Sequence, residues 1–297
     1  MFLRIDHTTR YRYAVPVGLT PHLLRLLPRT TPGLRLLKSE LTISGESSVK
    51  WNLDALGNIL GKAVFPVMTD ELLIRSSLLI EQQLTNPFDF LLEDRSMHLP
   101  IKYDERESSL LAPFLQPMDE SAAAILGYWL KPFQERNSGP SSPPSTLGTI
   151  TSINSAIRAL FRYTPRHIHG VWSVSEILTQ GEGTCRDFAH LMIEAARFLG
   201  VAARYVSGYL CSTPGGLEGE SYTHGWCEVY LPGAGWRGLD PTNGILADAH
   251  HIAVAVSTVA GDIPPVEGSY CGEPDLCLLH DGEISARELL PGEEIEV

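Results

Sequence analysis

Short apolar stretches separated by turn residues dominate the first third of the chain. Residues 10–15 alternate between polar and apolar side chains, and residues 59–67 and 72–84 are apolar or alternating. Asn86-Pro87 ends the last of these stretches. Strands of this length, punctuated by Gly, Pro and Asn, are typical of a β-sandwich or a barrel-like sheet. We therefore predict a β-sandwich-like N-terminal domain over residues 1–85.

The pattern changes after residue 86. Five prolines between residues 87 and 132 divide this region into short segments, and residues 138–145 at its end have the Ser/Pro/Gly composition of a linker. From Thr146 onward, apolar residues recur three and four positions apart, which indicates a helix. These features predict a helical and loop connector over 86–145 and a second domain, the core, over 146–265.

Within this core, a helix is predicted to precede a series of antiparallel strands. Apolar side chains between 188 and 199 form one helical stripe, with Thr184 and Asp187 as a capping box and Gly200 at the C′ position. Apolar runs at 201–210, 223–231 and 236–240 then read as strands. A helix followed by an antiparallel meander defines an α+β fold.

Charge and composition exclude several functional classes. The 297 residues are 43% hydrophobic and 20% charged, as in a globular protein, and a net charge of −12 disfavours nucleic-acid binding. No apolar run approaches the roughly 20 residues that span a bilayer, and Arg4 and Asp6 interrupt the region where a signal peptide is apolar. We expect a reduced, cytoplasmic protein with no nucleic-acid or membrane partner.

The candidate metal ligands are few. His167 and His169 alternate as on a metal-binding strand, and His250 and His251 follow later, but no carboxylate or thiol at firm spacing accompanies them. The five cysteines form no C-x-x-C pair. We therefore predict no metal.

The C-terminal region, residues 266–297, is acidic, with nine Asp or Glu residues against a single Arg. Apolar residues lie among the charges. Two roles remain open at this point: the tail adds a strand to one domain, or it lies across the active-site cleft.

Three residues have the types and order needed for thiol chemistry. Cys185 lies in the first turn of the predicted helix, where free N–H groups and the helix dipole lower a thiol pKa and can hold an oxyanion. His224 begins one predicted strand, and Asp240 ends the adjacent one. Nucleophile, base and orienting carboxylate are the parts of an acyl-transfer site. A small buried cysteine, a sheet histidine and a strand-ending aspartate are the structural alternatives.

At these residues the sequence resembles the bacterial transglutaminase-like superfamily. The matching core segments are GEGTCRDFAH (181–190), ARYVSGY (203–209), HGWCE (224–228), GWRGLDPTNG (235–244), His251-Ile252 and GDIPPVEG (261–268). The start of the chain, through HTTRYRY (7–13) and DALGN (54–58), is similar to the β-rich region that accompanies this core in bacteria.

The resemblance implies a papain-like fold with a catalytic triad of Cys185, His224 and Asp240. It also suggests Trp172 as a donor that completes the oxyanion hole, although a core tryptophan is an equally good interpretation. Tyr209 and Trp226 are assigned to the substrate cleft.

One position departs from the family pattern. Residue 186 is often Gln in this family and is Arg here. Arg186 either faces solvent or biases the cleft towards acidic substrates.

The favoured function is cleavage of peptide or related amide bonds through an acyl-enzyme on Cys185, as in a cysteine protease. Two alternatives stay open: acyl transfer to an amine, as in a transglutaminase, and a non-catalytic interaction module. The expected partner is a peptide or protein substrate, and no cofactor is required. The sequence leaves the oligomeric state open.

Overall fold

The computed structural model describes residues 1–83, 85–117, 119–140, 142–166, 170–212, 223–289 and 293. In these ranges the chain forms five α-helices, short 3-10 turns and mostly antiparallel strands. The predicted α+β class is confirmed, with a β-rich N-terminal region followed by a core of helices and an antiparallel sheet. Among the described helices, none has both the length and the apolar character that crossing a bilayer requires.

The N-terminal region contains two antiparallel sheets. Its strands are β1 (Phe2–Leu19), β2 (His22–Leu24), β3 (Leu34–Ile43), β4 (Ser48–Leu53), β5 (Ile59–Val64) and β6 (Thr69–Gln82). β6 lies between β1 and β3 in one sheet, while β5 lies between β2 and β4 in the other. Alternate residues of β1 are buried from Leu3 to Thr9, as expected for a strand with one face on a core.

The chain returns to these two sheets at its C-terminal end. The returning strands are β14 (Val266–Glu267), β15 (Tyr270–Cys271) and β16 (Cys277–Glu288). β14 pairs with β2, whereas β16 runs antiparallel to β1 from Leu3 opposite Glu288 to Tyr13 opposite Cys277. Of the two roles left open for the acidic tail, strand addition is the one that its described residues adopt.

The helices follow the N-terminal sheets, and four of the five described helices contribute side chains to one core. They are α1 (Glu105–Leu115), α2 (Ala123–Arg136), α3 (Thr146–Leu160), α4 (Val174–Gln180) and α5 (Cys185–Phe198). Leu126 and Leu130 of α2, together with Ile150 and Ile153 of α3, pack in the same cluster as the apolar face of α5. The predicted connector thus contributes side chains to the core that supports α5.

A five-stranded antiparallel sheet packs against α5. It consists of β9 (Ala203–Leu210), β10 (Thr223–Leu231), β11 (Gly235–Asp240), β12 (Ile245–Leu246) and β13 (His251–Ser257), in the order β12-β11-β10-β9-β13. A short parallel pair, β7 (Arg162–Tyr163) and β8 (Glu182–Gly183), leads into α5. This arrangement places the start of α5 beside β10.

Two buried polar contacts join the N-terminal region to the core sheet. Asn58 ends a turn in which Asp54 Oδ1 accepts from the Leu56 and Asn58 N–H groups. The Asn58 amide then donates to the Val256 carbonyl and accepts the Val256 N–H, both at 2.8 Å. At the second contact, His7 Nδ1 lies 3.0 Å from the Tyr209 hydroxyl.

Candidate functional site

Cys185 is the first residue of α5, and its side chain is a buried free thiol. Thr184 precedes it in an extended conformation, as an N-cap residue does. Gly183 is required by packing, because a Cβ there would lie 2.9 Å from Asp187 Cβ and 3.1 Å from the Phe188 ring. The sequence therefore positions the thiol at the end of the helix where backbone N–H groups are free.

Asp187 fixes the start of this helix. Its Oδ2 accepts the Thr184 backbone N–H and hydroxyl, both at 2.8 Å, as the predicted capping interaction requires. Its Oδ1 accepts from the Trp172 N–H at 2.7 Å and from Arg166 Nη2 at 2.8 Å. One buried carboxylate thus ties the segment before α4 to the first turn of α5.

His224 and Asp240 come together from adjacent strands. β10 and β11 pair antiparallel, so that Asp240 at the end of β11 lies near the start of β10. His224 Nε2 is 2.9 Å from Asp240 Oδ2, and both side chains are fully buried. Among the described residues, the other ring nitrogen, Nδ1, has no conventional hydrogen-bond partner. It is therefore the nitrogen left for the Cys185 thiol, which interacts with His224.

The electrostatics of this cluster favour charge separation. Burial by itself raises the pKa of the Cys185 thiol, but His224, the Gly225 N–H and the Arg186 charge outweigh it, so that the thiol pKa is lowered. Burial likewise lowers the pKa of His224, but Asp240 and Cys185 outweigh this effect and raise it to about 10. These two directions describe a thiolate beside an imidazolium.

Asp240 is held in place by further donors. Its Oδ1 accepts from the Thr242 N–H at 3.0 Å and the Asn243 N–H at 3.3 Å. Its Oδ2 accepts from the Asn243 side-chain amide at 2.7 Å and from His251 Nε2 at 3.1 Å. Burial opposes the charge on Asp240, but His224 and His251 hold its pKa well below the usual range. His251, which lies in a matching family segment and was weighed as a metal ligand, was not predicted to reach this carboxylate.

Trp226 and Tyr209, both assigned to the cleft, are buried. The Trp226 ring stacks on His224 with centroids 6.1 Å apart and meets His251 edge-on at 5.4 Å, so it backs both imidazoles. Tyr209 bonds to His7 and packs with apolar residues of β1 and β6. Their roles at a substrate cleft stay predictions.

Trp172 and Arg186 both lie close to the start of α5. The Arg166 guanidinium lies 4.5 Å from the centroid of the Trp172 ring, and the oxyanion role of Trp172 stays a prediction. Arg186 is half-buried, and its Nη2 donates to the Arg166 carbonyl at 3.2 Å. The solvent-facing interpretation of Arg186 is therefore incomplete, because part of its guanidinium is bound back to the protein.

One group of described residues has the donor atoms for a metal ion. Ligand atoms of His224, Asp240 and His251 lie within 4.8 Å of one another. The facing nitrogen of each histidine is already hydrogen-bonded to the carboxylate oxygen, so these bonds account for the cluster without an ion. The other histidines considered from the sequence, His167 and His169, lie outside the described residues.

A helix that begins at a cysteine and packs on an antiparallel sheet carrying histidine and aspartate defines the papain-like class of α+β proteins. Residues 134–241 match the transglutaminase-like superfamily, and residues 3–81 match the bacterial transglutaminase-like N-terminal region. Both matches agree with the family resemblance that the sequence predicted.

Relatives of known sequence extend over different shares of the chain. The uncharacterized protein ML0607 of Mycobacterium leprae is 25% identical over 91% of this chain and 93% of its own length. The uncharacterized protein Rv2569c of Mycobacterium tuberculosis is 42% identical over 103 residues, which is 32% of this chain and 33% of that protein. The match at the higher identity therefore extends over about a third of each of the two chains that it joins.

A solved structure shares the fold over nearly the whole chain. The crystal structure of a "putative cysteine protease" from Cytophaga hutchinsonii superposes with a TM-score of 0.67 at 16% sequence identity. The match covers 96% of this chain and 97% of that one. The fold common to both therefore includes the N-terminal region as well as the core.

Proposed function

We propose that this protein is a thiol-dependent hydrolase of peptide or related amide bonds, acting through an acyl-enzyme on Cys185. The observation that carries the proposal is the buried line of Cys185, His224 and Asp240, in which the thiol pKa is lowered and the histidine pKa raised. The description of the Cytophaga hutchinsonii structure as a "putative cysteine protease" is consistent with this choice.

The proposed reaction has two steps. The Cys185 thiolate attacks the carbonyl carbon, and free N–H groups at the start of α5 stabilise the negative oxygen. The C–N bond then breaks as the His224 imidazolium gives its proton to the leaving amine. In the second step His224 takes a proton from water, the resulting hydroxide attacks the thioester, and the thiolate leaves. Asp240 holds His224 in the orientation that both proton transfers need.

Alkylation of individual cysteines tests the nucleophile. We expect iodoacetamide to modify Cys185 faster at pH 6 than an ordinary thiol, because a lowered pKa raises the fraction of thiolate. Cys227 is the internal control, since burial raises its thiol pKa by more than the Arg197 charge lowers it. His224 is the group that most lowers the Cys185 pKa against the effect of burial. Without it, in His224→Ala, the thiol pKa should rise, and alkylation of Cys185 should need a distinctly higher pH. Peptide mass spectrometry measures both sites in one sample, and equal pH profiles for Cys185 in the two proteins would contradict the proposal.

The acyl acceptor is tested separately. A mixture of peptide p-nitroanilides serves as acyl donor, with and without a primary amine such as cadaverine. We expect the free acid as the main product in both cases, and no product from Cys185→Ala. A dominant amide product would support the transglutaminase alternative, whereas an inert protein with a reactive Cys185 would require a different acyl donor class.

A further inference from the structure

The Asp240 carboxylate is shared by two histidines from different strands. His224 on β10 and His251 at the start of β13 both point Nε2 at the same oxygen, Oδ2, at 2.9 and 3.1 Å. β9 lies between these two strands in the sheet. On β9, Gly208 lies opposite His224 of β10 and opposite Ala253 of β13. A Cβ on Gly208 would lie 2.8 Å from the Trp226 ring, so a glycine at this position leaves room for that ring.

The other nitrogen of His251 is also fixed. The Asp248 backbone N–H lies 3.1 Å from His251 Nδ1, and Asp248 Oδ1 lies 3.1 Å from the same atom. In the neutral ring, Nδ1 accepts from the backbone N–H, so the proton resides on Nε2. In the charged ring, Nδ1 donates to the Asp248 carboxylate, and Nε2 again carries a proton. His251 therefore offers an N–H to Asp240 in both protonation states.

We infer that His251 is a positioning residue that locks the Asp240 carboxylate in the orientation required by His224. The inference rests on the proposed function for its catalytic meaning, but its structural content is independent of it. A carboxylate oxygen that accepts a second N–H, from His251, has less freedom to turn away from His224.

The surrounding charges are consistent with this role. Asp240 faces His251 from β11, Asp248 faces it from the preceding turn, and the His224 ring centroid lies 6.2 Å away on β10. Burial lowers the pKa of His251, and the two carboxylates raise it by more than burial and His224 lower it. When the His251 and His224 rings are both protonated and Cys185 is a thiolate, negative and positive charges alternate along the series Asp248, His251, Asp240, His224 and Cys185.

Three substitutions separate positioning from simple packing. Gln at 251 can place an amide N–H near the position of Nε2 and reach Asp240, whereas Asn at 251 is one bond shorter and reaches only towards Asp248. His251→Leu is a second variant without the donor, in case His251→Asn does not fold. His250→Gln is the control, because His250 also bonds to Asp248 but has no bond to Asp240 among the described contacts.

Two readouts are needed for each folded variant. The first is the ¹⁵N-edited NMR resonance of the proton between His224 Nε2 and Asp240, which reports how well this hydrogen bond is held. The second is the rate of Cys185 alkylation by iodoacetamide at pH 6. We expect His251→Asn and His251→Leu to lose the resonance to exchange and to slow alkylation roughly 10- to 100-fold, the range for a hydrogen bond to a charged group. His251→Gln and His250→Gln should keep both.

Each remaining outcome decides one question. If His251→Asn or His251→Leu retains the resonance and the rate, or if folded His251→Gln is no better than either, the positioning role is overturned. If the resonance depends on residue 251 as expected but wild-type Cys185 reacts as an ordinary thiol, the positioning role stands and the proposed function fails.

Discussion

At the scale of single residues, the Asp240 carboxylate determines the protonation state of the site. Within the described part of the chain, five N–H donors surround it, and two of them belong to histidine rings. The charge of this carboxylate is what raises the pKa of a buried His224 that burial alone would lower. Asp240 therefore acts in two ways that a substitution can separate: its shape accepts the hydrogen bonds, and its charge raises the His224 pKa.

Asp240→Asn keeps the shape and removes the charge. We expect the pKa of His224 to fall and that of the Cys185 thiol to rise, because the imidazolium that stabilises the thiolate is itself less stable. The midpoint of the Cys185 alkylation profile should move up by about one to two pH units, to a value between those of wild type and His224→Ala. A profile identical to that of wild type would show that the carboxylate charge has no part in activation.

The sequence predicted the residue types of the site better than their contacts. Cys185, His224 and Asp240 were singled out by their positions at element ends, and the structure brings them into one cluster. His251 was noted in a matching family segment and weighed as a metal ligand, but its bond to Asp240 was not predicted, because that bond depends on the pairing of β13 with β9. No local pattern encodes such a contact. The catalytic roles, the peptide substrate and the cytoplasmic location stay predictions.

At the scale of elements, α5 depends on an anchor that lies inside the protein. Asp187 is fully buried and binds the N-cap residue, the Trp172 backbone and Arg166, whose side chain is largely buried. Without this carboxylate, the Arg166 guanidinium and the backbone N–H groups of Trp172 and Thr184 would lose the acceptor that Asp187 provides.

We expect Asp187→Ala to lower the free energy of unfolding by about 3–5 kcal/mol, the cost of leaving a buried ion-pair partner uncompensated. Glu135→Gln is the control, since its pair with Lys131 is exposed and worth about 0–1 kcal/mol. Urea unfolding followed by circular dichroism measures both. A loss in Asp187→Ala no larger than in the control would mean that the start of α5 is held by other contacts.

Helix prediction succeeded where amphipathic pattern and caps agreed. α5 has its apolar stripe, its Asp187 interaction and Gly200 with φ +76° after its end, as predicted. The seven-residue α4 was missed because it is too short for a periodic stripe. Its capping box, Ser173 with Glu176 three residues later, was the available signal.

At the scale of the whole molecule, the N-terminal sheet and the core sheet meet through buried polar groups. His7 on β1 is enclosed between Tyr209 and Thr9, and burial lowers its pKa to about 4. The unfolded chain binds a proton at His7 near pH 6.5, whereas the folded chain does so only near pH 4. The stability that His7 contributes is therefore complete above pH 6.5 and declines as the pH falls towards 4.

Between pH 7 and pH 5, wild type should lose about 2 kcal/mol of unfolding free energy that His7→Gln does not lose. Urea titrations of both proteins at the two pH values give this difference directly, and other titrating groups cancel in it. His98→Gln, at an exposed histidine, should lose as much as wild type. If His7→Gln and wild type decline in parallel, His7 is accessible to protons in the folded protein.

The position of β1 between β6 and β16 has a consequence for synthesis. One neighbour of β1 follows it closely in the chain, but the other lies at the far end. At about 5–20 residues per second, the ribosome needs roughly 10–40 s to make the intervening segment of about 200 residues. During that interval the nascent chain exposes an unpaired strand edge, which is the type of surface that chaperones shield and that drives nascent chains to aggregate.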